Sequence, residues 1–118
     1  MGYESRLYIV EENNFLIPSD NGKVWAQVIG MINLCNCYPI TDVFTEVANG
    51  YIYDTDGNTR IEEDRYGKPL SMASLEDVIE KLKEIVKESD YNRAKVALGF
   101  LKSVQKSMPD CVVYHYGY

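Results

Sequence analysis

Residues 74–108 read SLEDVIEKLKEIVKESDYNRAKVALGFLKSVQKSM, and their apolar residues recur with the helical period twice over. Leu75, Val78, Ile79, Leu82, Ile85 and Val86 follow the i, i+3, i+4, i+7 spacing of one helical face. Ser74 precedes the run and Asp77 follows three residues on. A serine oxygen accepts from an otherwise orphaned backbone N–H, and an acid in the first turn suits the positive helix end. After a tight turn, Ala94, Ala97, Leu98, Leu101, Val104 and Met108 line one side of a second helix. Ser89 or Asp90 is its expected cap, and Pro109, which cannot continue the backbone ladder, is its stop.

The flanking segments read as strands that this helical pair covers. Residues 3–11 form the first, with Tyr3, Leu7 and Ile9 on one parity and Arg6, Tyr8 and Val10 on the other. Glu11 to Gly22 is a polar loop in which Phe15, Leu16 and Ile17 are expected to tuck back on the sheet. Lys23 to Leu34 is a second strand, apolar on both parities, that pairs antiparallel with the first. Pro39 bars a regular central strand, and Thr41-Asp42 caps a short helix through Val47 that Asn49-Gly50 ends. Residues 51–53 and 59–62 flank Asp54-Thr55-Asp56-Gly57-Asn58, a hairpin signal. Glu63 to Ala73 is a loop into the first helix, and Cys111 to Tyr118 is a last strand. Its alternation sets Val112, Tyr114, Tyr116 and Tyr118 against Cys111, Val113 and His115. The order β-β-(short α)-β-β-α-α-β predicts one α+β domain over residues 1–118. It has a mainly antiparallel sheet of about four to five strands, with two consecutive helices packed on one face.

With 46% hydrophobic residues the chain can build a core without disulfide or metal. Three cysteines in no framework spacing suggest reduced thiols, and no signal peptide or membrane span is read, so the expected place is the cytoplasm. The net charge of −6 is uneven. Residues 1–64 hold three bases against eleven acids, and residues 65–118 nine against seven. An acidic half disfavours direct nucleic-acid binding and suits a basic partner surface; it also keeps a protein soluble.

Candidate chemistry is sparse. Asp54-x-Asp56-x-Asn58 opens like a calcium loop, but Thr59 and Arg65 stand where that loop needs glycine and glutamate. Cys35, Cys37, Cys111 and His115 are zinc-ligand types, yet Cys111 and His115 lie about 13 Å apart along a strand. Glu62, Glu63 and Asp64, with Asp54 and Asp56, read as a solvated face rather than a metal site. His115 is the only histidine, and no serine elbow or phosphate loop accompanies it. No catalytic residue, metal or cofactor is assigned.

Ten tyrosines suit a recognition surface, because a tyrosine buries area while keeping a polar tip. The partner-binding candidates are Asp54, Asp56, Glu62, Glu63, Asp64, Arg65, Tyr66, Lys68, Tyr114 and Tyr116. The opening MGYESRLYIV, the middle DGNTRIEEDRYGKPL and the ending VYHYGY resemble small accessory proteins of bacteriophages and prophages. That resemblance implies a factor that binds a host protein, including anti-defence inhibitors such as anti-CRISPR proteins, and carries over no catalytic residues. The expectation is therefore a phage-like protein-binding inhibitor that occupies a host protein's basic surface. One alternative is a small-molecule binder or hydrolase using Tyr114, His115 and Tyr116. The other is a homo-oligomer, a homodimer among its forms, built through the second strand or the Val96/Phe100 side of the second helix.

Overall fold

The computed structural model describes residues 3–12, 22–54 and 56–118. Its strands are β1 (Ser5–Glu12), β2 (Val24–Asn33), β3 (Glu46–Val47), β4 (Gly50–Tyr53), β5 (Arg60–Ile61), β6 (Ser71–Ser74) and β7 (Val112–Gly117). Two helices, α1 (Leu75–Glu88) and α2 (Asn92–Ser107), separate β6 from β7, and a 3₁₀ turn spans Tyr38–Val43. The chain is α+β, with a seven-stranded sheet in the order β3-β6-β7-β1-β2-β4-β5.

Both helices form where the apolar period places them. The Ser74 hydroxyl accepts from the Asp77 N–H at 3.1 Å and starts α1, whose Leu75, Val78, Ile79, Leu82 and Ile85 are buried. Ser89 does not cap α2. Its backbone N–H and its hydroxyl both donate to the Ile85 carbonyl, at 2.9 and 3.2 Å, and so finish α1. Asp90 pairs instead with Lys95, and the cap position of α2 falls to Tyr91, which makes no side-chain cap bond. The helix ends at Ser107, two residues before Pro109.

β1 sits between β2 and β7, antiparallel to both, with Leu7 opposite Ile32 on one side and His115 on the other. Leu7, Ile9 and Val113 pack with α1 and α2 on one face. Val10 and Tyr114 turn to the other, into a second cluster with Ala26, Ala48, Ile52 and Leu70. The sheet curls so that β4 and the residues beside it cover this second face.

The sheet is larger than the four to five strands expected, and the difference lies in short pairings. Five neighbouring pairs are antiparallel, but β2 and β4 run parallel, through Val24↔Gly50 and Trp25↔Tyr51. Pro39 opens a 3₁₀ turn rather than the short helix expected from Thr41, and Glu46–Val47 leave it as β3. The expected loop before α1 ends in β6, which pairs with β3 and β7 at once. The hairpin of β4 and β5 is as expected, with Ile52 opposite Ile61. In its turn Asp56 accepts from the backbone N–H groups of Asn58 and Thr59, at 2.8 and 3.2 Å, and these bonds hold its carboxyl below the usual carboxylate range. The expected return of Phe15, Leu16 and Ile17 lies outside the described residues.

Gly50 marks where the curled segment touches the sheet. A Cβ there would stand 2.4 Å from the Val24 carbonyl oxygen and 2.9 Å from the Tyr114 hydroxyl. Gly99, inside α2, has nothing within 4 Å of that position. The two alanine substitutions should therefore have opposite signs. In urea titrations Gly99→Ala should stabilise by about 0.5–1 kcal/mol, since alanine loses less backbone entropy in a helix. Gly50→Ala should lower the midpoint, because it drives a methyl group into backbone.

Candidate functional site

The residues just before β1 and just after β7 meet at one end of these two central strands. Ser5 pairs with Gly117, and beyond them Glu4 and Tyr118 exchange backbone bonds at 2.9 Å in each direction. Tyr3 and Tyr118 thereby reach the same place. The loop between β5 and β6 reaches it too, since the Arg65 N–H donates to the Gly117 carbonyl at 3.1 Å. Asp64 shapes that loop by accepting from the backbone N–H groups of Tyr66 and Lys68, at 2.8 and 3.1 Å, and Gly67 takes the positive φ of 78° that the turn requires.

The result is a cleft of about 950 Å³ lined by Tyr3, Glu4, Cys35, Asn36, Tyr38, Arg65, Tyr66 and Tyr118. Tyr3 stacks on Tyr38 with centroids 5.5 Å apart and on Tyr66 at 5.8 Å, a run of three rings. Tyr38 and Tyr66 are each 56% exposed. Across the cleft the Arg6 and Arg65 guanidinium groups lie 3.8 and 4.7 Å from the Tyr118 ring centre. Burial and the nearby Asp64 carboxylate push the Tyr3 phenol above its ordinary value.

The far wall comes from the residues after β2. Cys35 has a φ of 53°, held by the Asn33 side chain, whose oxygen accepts from the Cys35 N–H at 2.7 Å and whose amide donates to Glu4 at 3.3 Å. This turns the chain out of the sheet and sends Asn36 and Tyr38 along the cleft.

Behind Tyr3 lies a smaller cleft of about 320 Å³, reached by Asp64, Lys68, Ser71 and His115. His115 is buried, its Nε2 lies 3.0 Å from the Ser5 hydroxyl, and its ring packs against Tyr3 and Phe44. Ser5 is fully buried, so its hydroxyl is closed to a substrate. β7 alternation sends Tyr114 and Tyr116 to the face opposite His115, so the three do not converge in one site.

Of the residues singled out in the sequence, Arg65 and Tyr66 line the large cleft, and Asp64 and Lys68 the smaller one. Tyr116 stacks on Tyr118 at 6.4 Å and borders Glu62 and Glu63, which extends the same surface. Asp54 and Asp56 are exposed on the hairpin, away from both clefts. Tyr114 is not a surface residue. It is fully buried, its hydroxyl donates to Glu12, and burial raises its phenol far above the ordinary value. Tyr3, Tyr38 and Tyr118 belong to the cleft without having been candidates; the pairing of Glu4 with Tyr118 brings in Tyr3 and Tyr118, and the turn after β2 brings in Tyr38. Among the described residues, no group of three or more histidines, cysteines and acids is placed to hold a metal ion. None of their helices is long and apolar enough to cross a membrane.

Burial lowers the His115 pKa from its ordinary value, against a smaller upward pull from Asp64. Below about pH 6.5 the unfolded chain takes up a proton that the folded chain resists, so stability is lost as pH falls through that value and levels off below the depressed native one. The urea midpoint should therefore drop further between about pH 7.5 and about pH 5.5 in the natural protein than in His115→Gln.

No protein-family model matches this chain, and no curated protein or solved structure matches it either, so the reading of the cleft rests on its own residues.

Proposed function

We propose that this protein is a binding factor that occupies a surface of another protein, and that the tyrosine cleft is its contact face. The observation that carries this reading is the stacked run of Tyr38, Tyr3 and Tyr66, open to solvent beside Arg65 and Tyr118. Tyrosine and arginine dominate the energetic centres of protein interfaces, and here they are gathered at one place. The rings are held before any partner arrives. Tyr66 rides on a loop fixed by Asp64 and by the bond to Gly117, so little ordering entropy remains to be lost on binding.

The acidic balance and the phage-like resemblance name the partner class: a host protein with a basic surface, inhibited by being covered. Glu62 and Glu63 beside Tyr116, with Glu4 inside the cleft, put carboxylates next to the aromatic face. Such acids steer a basic partner and make the encounter depend on salt.

The test starts from the partner that the immobilised chain retains from a bacterial lysate, purified and measured against variants. Tyr38→Ser and Tyr66→Ser change exposed rings and should leave the fold intact. Each should weaken binding by about 30-fold, the scale of one aromatic anchor at about 2 kcal/mol. Rising salt should slow association with the natural protein. Affinities equal to the natural protein's in both variants would remove the cleft from the interface.

A further inference from the structure

The chain has four arginines, and two of them find close partners. Arg60 meets Glu62 at 3.0 Å, and Arg93 donates to the Asn33 carbonyl at 2.8 Å. The other two, Arg6 and Arg65, come together on the Tyr118 ring, with guanidinium carbons 3.8 and 4.7 Å from its centre. Arg65 lines the large cleft, and among the described residues its side chain makes neither an ion pair nor a hydrogen bond. Arg6 reaches Glu4 only at 3.8 Å, beyond hydrogen-bond length, and its Nε is buried without a partner. A buried donor left in this way is costly, and a negative charge beside the group offsets that cost.

We propose that Arg65, backed by Arg6, is the seat of a carboxylate that the protein partner brings into the cleft, an aspartate or glutamate side chain on its contact surface. This rests on the reading of the cleft as the contact face, and it adds what the centre of the partner's surface carries.

The charges at this place call for one more acid. The chain is rich in acids, with eighteen against twelve bases, yet those nearest Arg65 in sequence are engaged elsewhere. Asp64 accepts from the Tyr66 and Lys68 N–H groups of its own loop, and Glu62 is taken by Arg60. Glu4 is the acid that lines the cleft, and it offers one charge against two guanidinium groups while also accepting from Asn33 Nδ2 at 3.3 Å. A carboxylate supplies the one charge still lacking. A phosphate group carries nearly two and would crowd Glu4, and a lysine or arginine of the partner would meet Arg65 as a like charge.

The seat is held ready. The Arg65 N–H donates to the Gly117 carbonyl at 3.1 Å, which ties the loop to the end of β7, and the Tyr118 ring supports the guanidinium. A ring contact uses no N–H donor, so the fork that matches a carboxylate is kept for a ligand. The surface is thus laid out in opposite signs, with Glu62 and Glu63 beside Tyr116 and Arg65 among the cleft tyrosines. The partner that fits is basic around the rim and acidic at one point, and a uniformly basic surface is disfavoured at Arg65.

The sign of one substitution separates this proposal from steering alone. Arg65→Glu makes the surface more acidic, so a partner basic throughout would bind that variant more tightly. With a carboxylate seated at Arg65, the purified partner should bind Arg65→Glu about 30-fold or more weakly, and Arg65→Gln about tenfold. Arg65→Lys should recover part of the loss, since it keeps the charge without the fork. Changing the partner's acids to lysine one at a time should find one whose lost binding Arg65→Glu restores. Tighter or unchanged binding of Arg65→Glu, while Tyr38→Ser and Tyr66→Ser still weaken it, overturns the carboxylate and leaves the contact face standing. A second measurement needs no partner: NMR titration of the isotope-labelled chain with phenylacetate and with phenylacetamide. The acid should move the Arg65 side-chain and Tyr66 amide signals at millimolar concentration, and the amide should need at least about fivefold more. An equal response to both overturns the seat, whatever the tyrosine variants show.

Discussion

The position of β1 is the constraint to which the rest of the structure answers. Both its edges are taken, by β2 and by β7, and both its faces are packed. Leu7 and Ile9 face the helices, while Val10 faces the cluster under the curled β4. A slip of one residue would exchange these sets and press Arg6 and Tyr8 against α1 and α2. The register that avoids this also sets Ser5 against Gly117, and so carries Glu4 to Tyr118 and Tyr3 to the cleft. The core thus fixes the aromatic cleft through the strand that both share.

Much of this was legible where periodicity runs long. The α1 face, its Ser74 cap and the β7 alternation each have enough residues to show a period, and the turn at Asp56 has its own chemistry. β3 and the β2–β4 contact offer two residues each, too few for any pattern. β6 reads Ser-Met-Ala-Ser and lacks the branched residues that signal a strand. Ser89 looked like a cap because serine suits both helix ends by different bonds; here it closes the helix before it.

The site divides along the same line. Arg65 and Tyr66 stand in a loop whose Asp64 and Gly67 announce a turn, so local sequence locates them. Tyr3 and Tyr118 come together from opposite ends of the chain, and no local signal brings them there. Tyr114 shows the limit of parity. It shares a face with Tyr116 and Tyr118, but that face is covered at Tyr114 and bordered by a cleft at Tyr118. Alternation tells which side a residue takes, and only the curl of the sheet tells where that side is closed.

Cys35 connects the end of β2 to the aromatic cleft. A non-glycine residue at positive φ costs roughly 1–2 kcal/mol. Here the Asn33 side chain offsets part of that cost by accepting from the Cys35 N–H. Were the chain to continue straight, β2 would run past the end of β1, and Asn36 and Tyr38 would not reach Tyr3. The kink ends the strand at Asn33, where Arg93 meets its last carbonyl, and in the same step builds the far wall of the cleft. Asn33 therefore holds both: its carbonyl faces the sheet edge, and its side chain ties Cys35 to Glu4. Geometry at the end of one strand sets how far that edge extends and how wide the aromatic face opens.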